Sequence, residues 1–292
     1  MIKTNEENLV KLSVLGEISH PIFRPSPYKV SAEGEPLVLP GVGGVTYNIR
    51  VGDRAVGWWA DHVEPGVSIK NLAKSNTKGE NFGLNFLSCI GNEAKVVSGE
   101  AKGETGTVVG KHGGIEHVLV DFPSEILEKL VIGDKILVKS FGVGLKLEDF
   151  SDIFVMNMDP RFLKALKLRK EDEKLLVPVT HEIPASIMGS GLGQDQTYSG
   201  DYDIQLFDDE MRVRFKALRL GDLVTIRDAD HSYGRIYRKG AVSVGIVVHS
   251  DCVLAGHGPG VTTLLTSSSG KIEPEISKDV NIAKILGLRN DL

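Results

Sequence analysis

Glycine is the residue that most constrains what this chain can fold into. It occupies 33 of 292 positions, above the roughly 7% of average proteins, and many of these glycines stand in pairs or clusters. Glycine adopts backbone angles that other residues avoid, so it marks tight turns and weakens helix interiors. A chain that turns this often is expected to form short strands.

Hydrophobic periodicity indicates a mainly β fold with a few short helices. Segments 29–59 and 241–256 alternate apolar and polar residues between glycines or prolines, which is typical of strands. Short helices are predicted over 123–130, 159–174 and 277–288. The length suits one large domain or two to three ordinary ones.

Charge and cysteine content exclude several classes of protein. The formal net charge of −5 gives no general attraction to nucleic acid or anionic membranes. The first residues lack the apolar core of a signal peptide, and no apolar run approaches the roughly 20 residues that span a bilayer. Cys89 and Cys252 are far apart and outside any C-x-x-C pair, so neither a disulfide framework nor a thiolate zinc site is expected. We therefore expect a cytoplasmic protein with no membrane partner.

The middle of the chain resembles a small barrel. Segment 94–122 is predicted to form three strands separated by glycine turns, and 131–145 adds a hairpin. The order of valines, lysine and glycines here resembles a KOW motif, the first hairpin of an SH3-like barrel, with Gly106 at the most typical glycine. The residues that carry this resemblance are Val97, Lys102, Gly103, Gly106, Val108, Val118 and Val120.

The whole chain also resembles a family of prokaryotic proteins catalogued only as a domain of unknown function. That resemblance implies architecture and no activity. It implies an SH3-like barrel between two β-rich parts. The predicted boundaries are 1–89 for the N-terminal β-rich part, 90–145 for the KOW/SH3-like barrel and 146–292 for a C-terminal β-rich domain that carries the candidate site.

KOW barrels often contact RNA or ribosomal proteins, which gives an alternative function. Six basic residues of the segment are offset by six acidic ones, and aromatic stacking platforms are nearly absent. A structural barrel is therefore favoured over an RNA binder, and His112 and His117 are expected to be solvated at strand ends. Non-catalytic binding of RNA or a protein partner stays open as the alternative.

Segment 56–71 holds two adjacent tryptophans and a histidine between carboxylates. Trp58 and Trp59 are expected to project from opposite faces of a strand and to border a cleft or a subunit contact, the latter making a homo-oligomer. His62 lies between Asp61 and Glu64. That pattern fits a metal ligand or general base, and equally a solvated turn.

Histidines gather in the C-terminal third, each near the end of an apolar run, where β scaffolds assemble sites. The predicted ligands of a divalent metal ion are His181, His231, His249 and His257. The predicted catalytic residues are His257, His231 and Asp228. A divalent metal would polarise a carbonyl group or lower the pKa of a bound water.

Glycine-rich and hydroxyl-rich segments supply candidate contacts for a small-molecule ligand. The loop around 189–193 lacks the Lys-Ser/Thr ending of a P-loop, but its backbone N–H groups can form an anion nest. Segment 256–269 is predicted to be a loop that folds over the site, with glycines that free His257 to be aimed. The predicted substrate-binding residues are Gly191, Gly193, Asp201, Asp203, Thr262 and Thr263.

Segment 199–234 resembles a stretch of acetamidases and formamidases. In those enzymes a Gly-Asn-x-Asp segment precedes a Gly-Asp-x-His loop. Gly200, Asp201 and Asp203 stand for the first group, with Asp201 replacing the amide, and Asp228, Asp230 and His231 stand for the second with a longer spacing. The resemblance implies an amide-like substrate, and our leading hypothesis is a metal-assisted hydrolase of a small polar compound.

Overall fold

The computed structural model describes residues 2–23, 26–72 and 79–292, and within these ranges the chain is mostly β. The strands in chain order are β1 (Leu12–Ile18), β2 (Lys29–Val30), β3 (Pro36–Leu37), β4 (Val45–Thr46), β5 (Gly66–Lys70), β6 (Glu93–Val96), β7 (Thr105–His112), β8 (His117–Asp121), β9 (Lys135–Ser140), β10 (Phe154–Val155), β11 (Arg169–Glu171), β12 (Lys174–Val179), β13 (His181–Pro184), β14 (Tyr202–Asp203), β15 (Leu223–Asp230), β16 (Ile236–His249), β17 (Gly260–Ser267) and β18 (Ile272–Ile276).

Short helices connect the strands. In the described ranges they are α1 (Gly79–Leu87), α2 (Ser124–Leu127), α3 (Pro160–Ala165), α4 (Asp209–Phe215) and α5 (Ile282–Ile285), with 3-10 turns at Glu6–Asn8 and Ala185–Ile187. None of the helices in this part of the chain is long and apolar enough to cross a bilayer.

The first half of the chain forms a closed antiparallel barrel with strand order β1-β9-β6-β7-β8-β5, in which β1 also pairs with β5. Strands β6 to β9 come from the predicted barrel segment 90–145, whereas β1 and β5 come from residues 1–89. Gly106 is required by packing, because a Cβ there would lie 2.5 Å from the Asp121 carbonyl oxygen and 2.7 Å from the Phe122 ring. The mainly β fold with a barrel is confirmed.

A second sheet, ordered β10-β17-β16-β15-β13, carries β14 on β17. Its two faces are both buried: Val244, Ile246 and Val248 pack towards the barrel side, while Val247 joins a separate core cluster on the other face. From Ala241 to His249 every residue of β16 is buried, whereas Ile236 to Gly240 are exposed. The buried part therefore lacks the polar alternation of a half-exposed strand, although β15 and β17 pair with it antiparallel. A third sheet, β11-β12-β18, lies beside it.

The predicted helices exist but are shorter than their sequence patterns. Asp159 caps α3 by accepting a hydrogen bond from the Arg161 N–H, and the helix stops before Lys167, which has a φ of 54°. The rest of the predicted helix forms the β11–β12 hairpin, which turns at Asp172 (φ 51°). The apolar residues of β12 explain the change, since they align with β18 in a buried parallel pair.

The barrel and the second sheet meet where β7 packs on β16. A Cβ on Gly110 would lie 2.7 Å from a Val248 methyl group and 2.8 Å from the Val248 Cβ, so only glycine permits this approach. Beside it, the Thr262 hydroxyl donates to the Lys111 carbonyl (2.9 Å). The contact brings the ends of β7 and β16, His112 and His249, to the same place.

We predict that Gly110→Ala destabilises the protein by about 1–3 kcal/mol, the usual cost of forcing an extra methyl group into a packed core. Gly83→Ala is the matched control: Gly83 lies in α1, a Cβ there meets nothing within 4 Å, and alanine favours helix. Chemical denaturation of both variants checks this. Equal stability of the two variants would contradict the close approach of β7 and β16.

Candidate metal centre

A cleft of about 740 Å³ lies where the barrel meets the second sheet. The barrel contributes the end of β7 and the β7–β8 turn, and the second sheet contributes β14 and the loops beside it. One wall of the cleft carries ionisable side chains, namely Asp61, His62, His112, Asp201, Asp203 and His257. His249 is fully buried against the same group, with its ring centroid 4.2 Å from that of His112.

Three buried residues form what we call the inner cluster: His112, Asp201 and His249. One ligand atom from each lies within 4.8 Å of the others. His249 Nε2 and Asp201 Oδ2 are 2.7 Å apart, yet they are not aligned as donor and acceptor, and neither atom has a hydrogen-bond partner among the described residues. These two buried atoms therefore form an ion pair at contact distance without an aligned hydrogen bond.

The other polar atom of each inner side chain is already bonded. His112 Nδ1 donates to Glu64 Oε1 (2.6 Å), and His249 Nδ1 donates to the Ser250 carbonyl (2.8 Å). Asp201 Oδ1 accepts from the Gly113 N–H (2.7 Å). Metal-binding histidines are typically oriented in this way, through a carboxylate or carbonyl on the second ring nitrogen.

A glycine keeps the space beside the inner cluster open. The Cβ of any other residue at Gly260 would lie 2.0 Å from Asp201 Oδ2 and 2.2 Å from His249 Nε2. Gly260 begins β17 and pairs with Asp203 of β14. The strand pairing that positions the carboxylates thus also places a residue without a side chain beside the two unpartnered atoms.

Three further residues form what we call the outer cluster: His62, Asp203 and His257. His62 Nε2 lies 3.2 Å from His257 Nδ1 and 3.5 Å from Asp203 Oδ2, and His257 Nδ1 lies 3.2 Å from Asp203 Oδ2. The His257 side chain is 33% exposed, against 13% for His62. The outer cluster therefore lies on the open side of the inner one.

His62 is oriented by a buried polar network. Its Nδ1 donates to Asp61 Oδ1 (2.8 Å), which also accepts from the Cys252 thiol (2.8 Å). Asp61 Oδ2 pairs with Lys29 Nζ at 2.8 Å. His62 has a φ of 55°, a conformation that is uncommon outside glycine, so the local backbone is held in an unfavourable state that aims the imidazole into the cleft.

Glu64 joins the barrel to the centre. This fully buried carboxylate contacts His112 and His117, and it accepts from the Gly43 N–H (2.8 Å) and the Ser68 hydroxyl. Burial alone would raise its pKa, but the charge of His117 and the hydrogen bond from His112 hold it well below its usual value. Glu64 is therefore ionised, and the expectation that His112 and His117 are solvated is wrong because both are buried against it.

The buried carboxylates also set the protonation of the histidines. Burial lowers the pKa of His249, but the charge of Asp201 outweighs burial and raises it to about 10. Burial likewise opposes protonation of His62, but hydrogen bonds with Asp203 and Asp61 raise its pKa to about 12. The carboxylates thus create a negative potential that stabilises positive charge in the cleft.

The structure brings together four of the residues predicted from the sequence as ligands or substrate contacts: Asp201, Asp203, His249 and His257. Gly191 lines the cleft. Gly193 lies in the same loop and donates its N–H to the Arg235 carbonyl (2.8 Å). In the segment that resembles acetamidases and formamidases, the first group of residues therefore lies at the cleft.

The other predicted residues have partners elsewhere. His181 Nδ1 contacts the Thr180 hydroxyl (2.9 Å). Asp228 has a φ of 61° at a bulge in β15 and accepts from the Gly240 N–H (2.7 Å). His231 is buried between the hydroxyls of Tyr202 (2.7 Å) and Thr263 (2.8 Å). None of these three predicted residues lines the described cleft.

The hydroxyl-rich segment is a strand and not a loop over the site. Residues 260–267 form β17, and every one of them is buried. The Thr262 hydroxyl is bonded to a β7 carbonyl and the Thr263 hydroxyl to His231. The loop is confined to the preceding residues, where Gly258 lies so close to the Ile204 carbonyl that a Cβ would meet it. This close approach fixes the position of the adjacent His257.

Sequence reasoning did not commit to His62 or His112 as site residues. His112 ends a strand and precedes two glycines, and this signal, similar to the glycines on both sides of His257 that selected that residue, was present in the sequence. His62 directly follows Asp61 in the sequence, and in the structure its Nδ1 is hydrogen-bonded to that carboxylate. In both cases the deciding fact is the burial of the neighbouring carboxylate, which comes from long-range packing.

The two tryptophans do not lie on a strand. The Trp58 ring stacks with the Arg54 guanidinium (4.5 Å) and donates its N–H to the Arg54 carbonyl. Trp59 is 74% exposed. Neither lines the cleft, while the carboxylates that follow them face it or are buried beside it. A subunit contact at Trp59 stays a prediction.

Comparisons with known proteins give a family and a fold. The family models described as domain of unknown function (DUF4438), N-terminal and C-terminal, match residues 28–164 and 165–286. The crystal structure of TM1086 is similar to this chain at 51% sequence identity and a TM-score of 0.91, covering 97% of this chain and 98% of that one. No curated protein matches. His62 and His112 lie in the first matched region, and the other cluster residues lie in the second.

The environment of His231 predicts a pH dependence of stability. Burial, assisted by the charge of Arg235, lowers the pKa of His231 from its ordinary value of 6.5 to about 3. As the pH falls below about 6.5, His231 therefore binds a proton in the unfolded chain but not in the folded one, and the free energy of unfolding decreases. We expect the unfolding free energy of the wild type to lose up to about 1.4 kcal/mol more per pH unit than that of His231→Asn.

Urea denaturation of both proteins between pH 7 and about pH 4 measures this difference. The stability gap between wild type and variant should shrink as the pH falls, because other groups titrate alike in both. A stability difference that does not change with pH would mean that His231 is protonated as readily in the folded state as in the unfolded state.

Proposed function

The chain belongs to the DUF4438 family, and we propose that it is a metal-dependent hydrolase whose inner cluster binds a divalent ion through His112, Asp201 and His249. The observation that carries the proposal is the pair of buried, unpartnered atoms His249 Nε2 and Asp201 Oδ2. Each belongs to a side chain whose other polar atom is already bonded.

The cost of this arrangement supports a cation as the missing partner. A buried polar atom without a hydrogen bond costs about 1–3 kcal/mol, and here two such atoms point at one another. A simple structural cluster would align them as donor and acceptor. A divalent ion instead needs lone pairs aimed at a common point, and the negative potential of the carboxylates favours such an ion, which would displace the proton of His249 as it binds.

The donor set suggests which ions bind. Two imidazole nitrogens and one carboxylate oxygen suit Zn²⁺ and other divalent transition metals better than Ca²⁺ or Mg²⁺, which prefer oxygen ligands. Catalytic zinc sites commonly keep three protein ligands and leave a position open. When bound, such an ion polarises a carbonyl group or lowers the pKa of a water molecule.

The cleft supports a small polar substrate. Its volume of about 740 Å³ falls in the roughly 300–1,000 Å³ range of small-molecule sites. Its lining includes Gly113, Gly114 and Gly191, where backbone groups are accessible to a ligand. The likeness of the Gly200 to Asp203 segment to acetamidases and formamidases favours an amide as the bond cleaved.

We do not extend the proposal to RNA. Of the basic residues counted for the KOW-like segment, Lys111 is fully buried and donates to Asn157 and to the Tyr198 carbonyl, and His112 belongs to the inner cluster. Neither is available to a phosphate backbone. Binding of RNA or a protein by the barrel stays an alternative prediction.

A cytoplasmic location is part of the proposal. Cys89 and Cys252 are both free and buried, and burial raises the pKa of Cys89 to about 11. Two unreactive thiols without a disulfide fit a reducing compartment.

We predict that Asp201→Asn prevents stoichiometric binding of Zn²⁺, because the neutral amide removes the charge and one oxygen ligand. Glu64→Gln should weaken binding about 10–100-fold by loosening the orientation of His112. His181→Ala is the matched control, since His181 lies outside both clusters. Isothermal titration with Zn²⁺ and elemental analysis of the purified proteins check these expectations. Equal metal content in wild type and Asp201→Asn would contradict the proposal.

We further predict that wild-type protein loaded with Zn²⁺ or Mn²⁺ releases ammonia from at least one small primary amide. A chelator and the Asp201→Asn substitution should each abolish release, whereas His181→Ala should retain it. A panel of amides with an enzymatic ammonia assay provides the measurement. Metal-loaded protein that cleaves no amide of the panel would contradict the amide assignment.

A further inference from the structure

We infer that the cleft holds a second divalent cation, bound by the outer cluster through His62 Nε2, Asp203 Oδ2 and His257 Nδ1. The inference rests on the proposed function, since it concerns the same cleft. It makes the centre a two-metal site, with the inner ion buried and the outer ion at the cleft surface.

The spacing of the three outer atoms matches a metal coordination shell. Their separations are 3.2, 3.2 and 3.5 Å, a nearly equilateral triangle. Ligands bound tetrahedrally to zinc at about 2.0–2.1 Å lie roughly 3.3–3.4 Å from each other. Two of these separations are also of hydrogen-bond length, about 2.7–3.2 Å. What fits a shared ion is that all three atoms, each able to bind a metal, lie mutually close around one point.

Asp203 is placed to bridge the two positions. Its Oδ1 lies 3.5 Å from His249 Nε2 of the inner cluster, while its Oδ2 faces His62 and His257. The Gly258 N–H lies 3.3 Å from the same Oδ2. One carboxylate therefore presents one oxygen to each cluster, which is how paired metal ions about 3.5–4 Å apart are commonly linked.

Of the two outer histidines, His62 is oriented as the inner ones are, through its second ring nitrogen. His62 donates its Nδ1–H to Asp61, which the Cys252 thiol and Lys29 hold in place. The backbone beside His257 is placed by the close approach of Gly258 to the Ile204 carbonyl. His62 Nε2 and His257 Nδ1 already lie 3.2 Å apart, so an ion that takes the place of the shared proton would meet both nitrogens.

The experiment compares metal stoichiometry in three proteins: wild type, His257→Ala and His20→Ala. His20 is an exposed histidine outside both clusters and serves as the matched control. Each protein is stripped with a chelator, reloaded with excess Mn²⁺, freed of unbound ion and analysed for manganese per chain. Thermal denaturation confirms that His257→Ala is folded.

We expect about two ions per chain in wild type and His20→Ala, and about one in His257→Ala. Paramagnetic resonance should report two coupled Mn²⁺ ions in wild type and an isolated ion in His257→Ala. His62→Asn, which keeps a residue tolerant of positive φ, should behave as His257→Ala does.

The two hypotheses fail in different ways. One ion in wild type, unchanged in His257→Ala, would overturn the second position and leave the inner site intact. No stoichiometric ion in wild type would overturn the proposed function and the second position with it. Two ions in both wild type and His257→Ala would show that the outer cluster is not the second site.

Discussion

The contact between β7 and β16 is the constraint on which the rest of the structure depends. Gly110 lets the barrel approach Val248 of the second sheet, and this approach sets His112 and His249 side by side. The two strands belong to separate sheets, and without this contact their ends would not meet. The carboxylates of β14 then reach the same point through the pairing of β14 with β17. The centre is thus a product of how two sheets pack.

Burial of charge is the second constraint. Glu64, Asp201 and Asp203 are all at most 6% exposed, and isolated buried carboxylates are expensive. Each is compensated by imidazoles and backbone N–H groups, which is why the pKa values of the carboxylates fall and those of His62 and His249 rise. The fold therefore maintains a concentration of negative charge that requires cations, whether protons or metal ions.

The sequence predicted the fold class well because strand periodicity and glycine turns are local signals. It did not predict that β1 and β5 close the barrel, since their pairing joins residues far apart in the chain. Position at a strand end correctly selected His249 and His257 as residues at the cleft. The same rule also selected His181 and His231, which lie away from it. A strand end indicates that a side chain is near an edge, and only the packing of sheets decides which edges meet.

The division of the cluster residues between the two halves of the chain has a consequence for biosynthesis. His62 and His112 emerge first from the ribosome, while Asp201, Asp203, His249 and His257 follow after residue 164. A nascent chain that ends before Asp201 presents the imidazoles of His62 and His112 and the Glu64 carboxylate, and none of the aspartates of the clusters. The full set of cluster residues is thus complete only when translation has passed residue 257, so the cleft can assemble only after both matched regions have been synthesised.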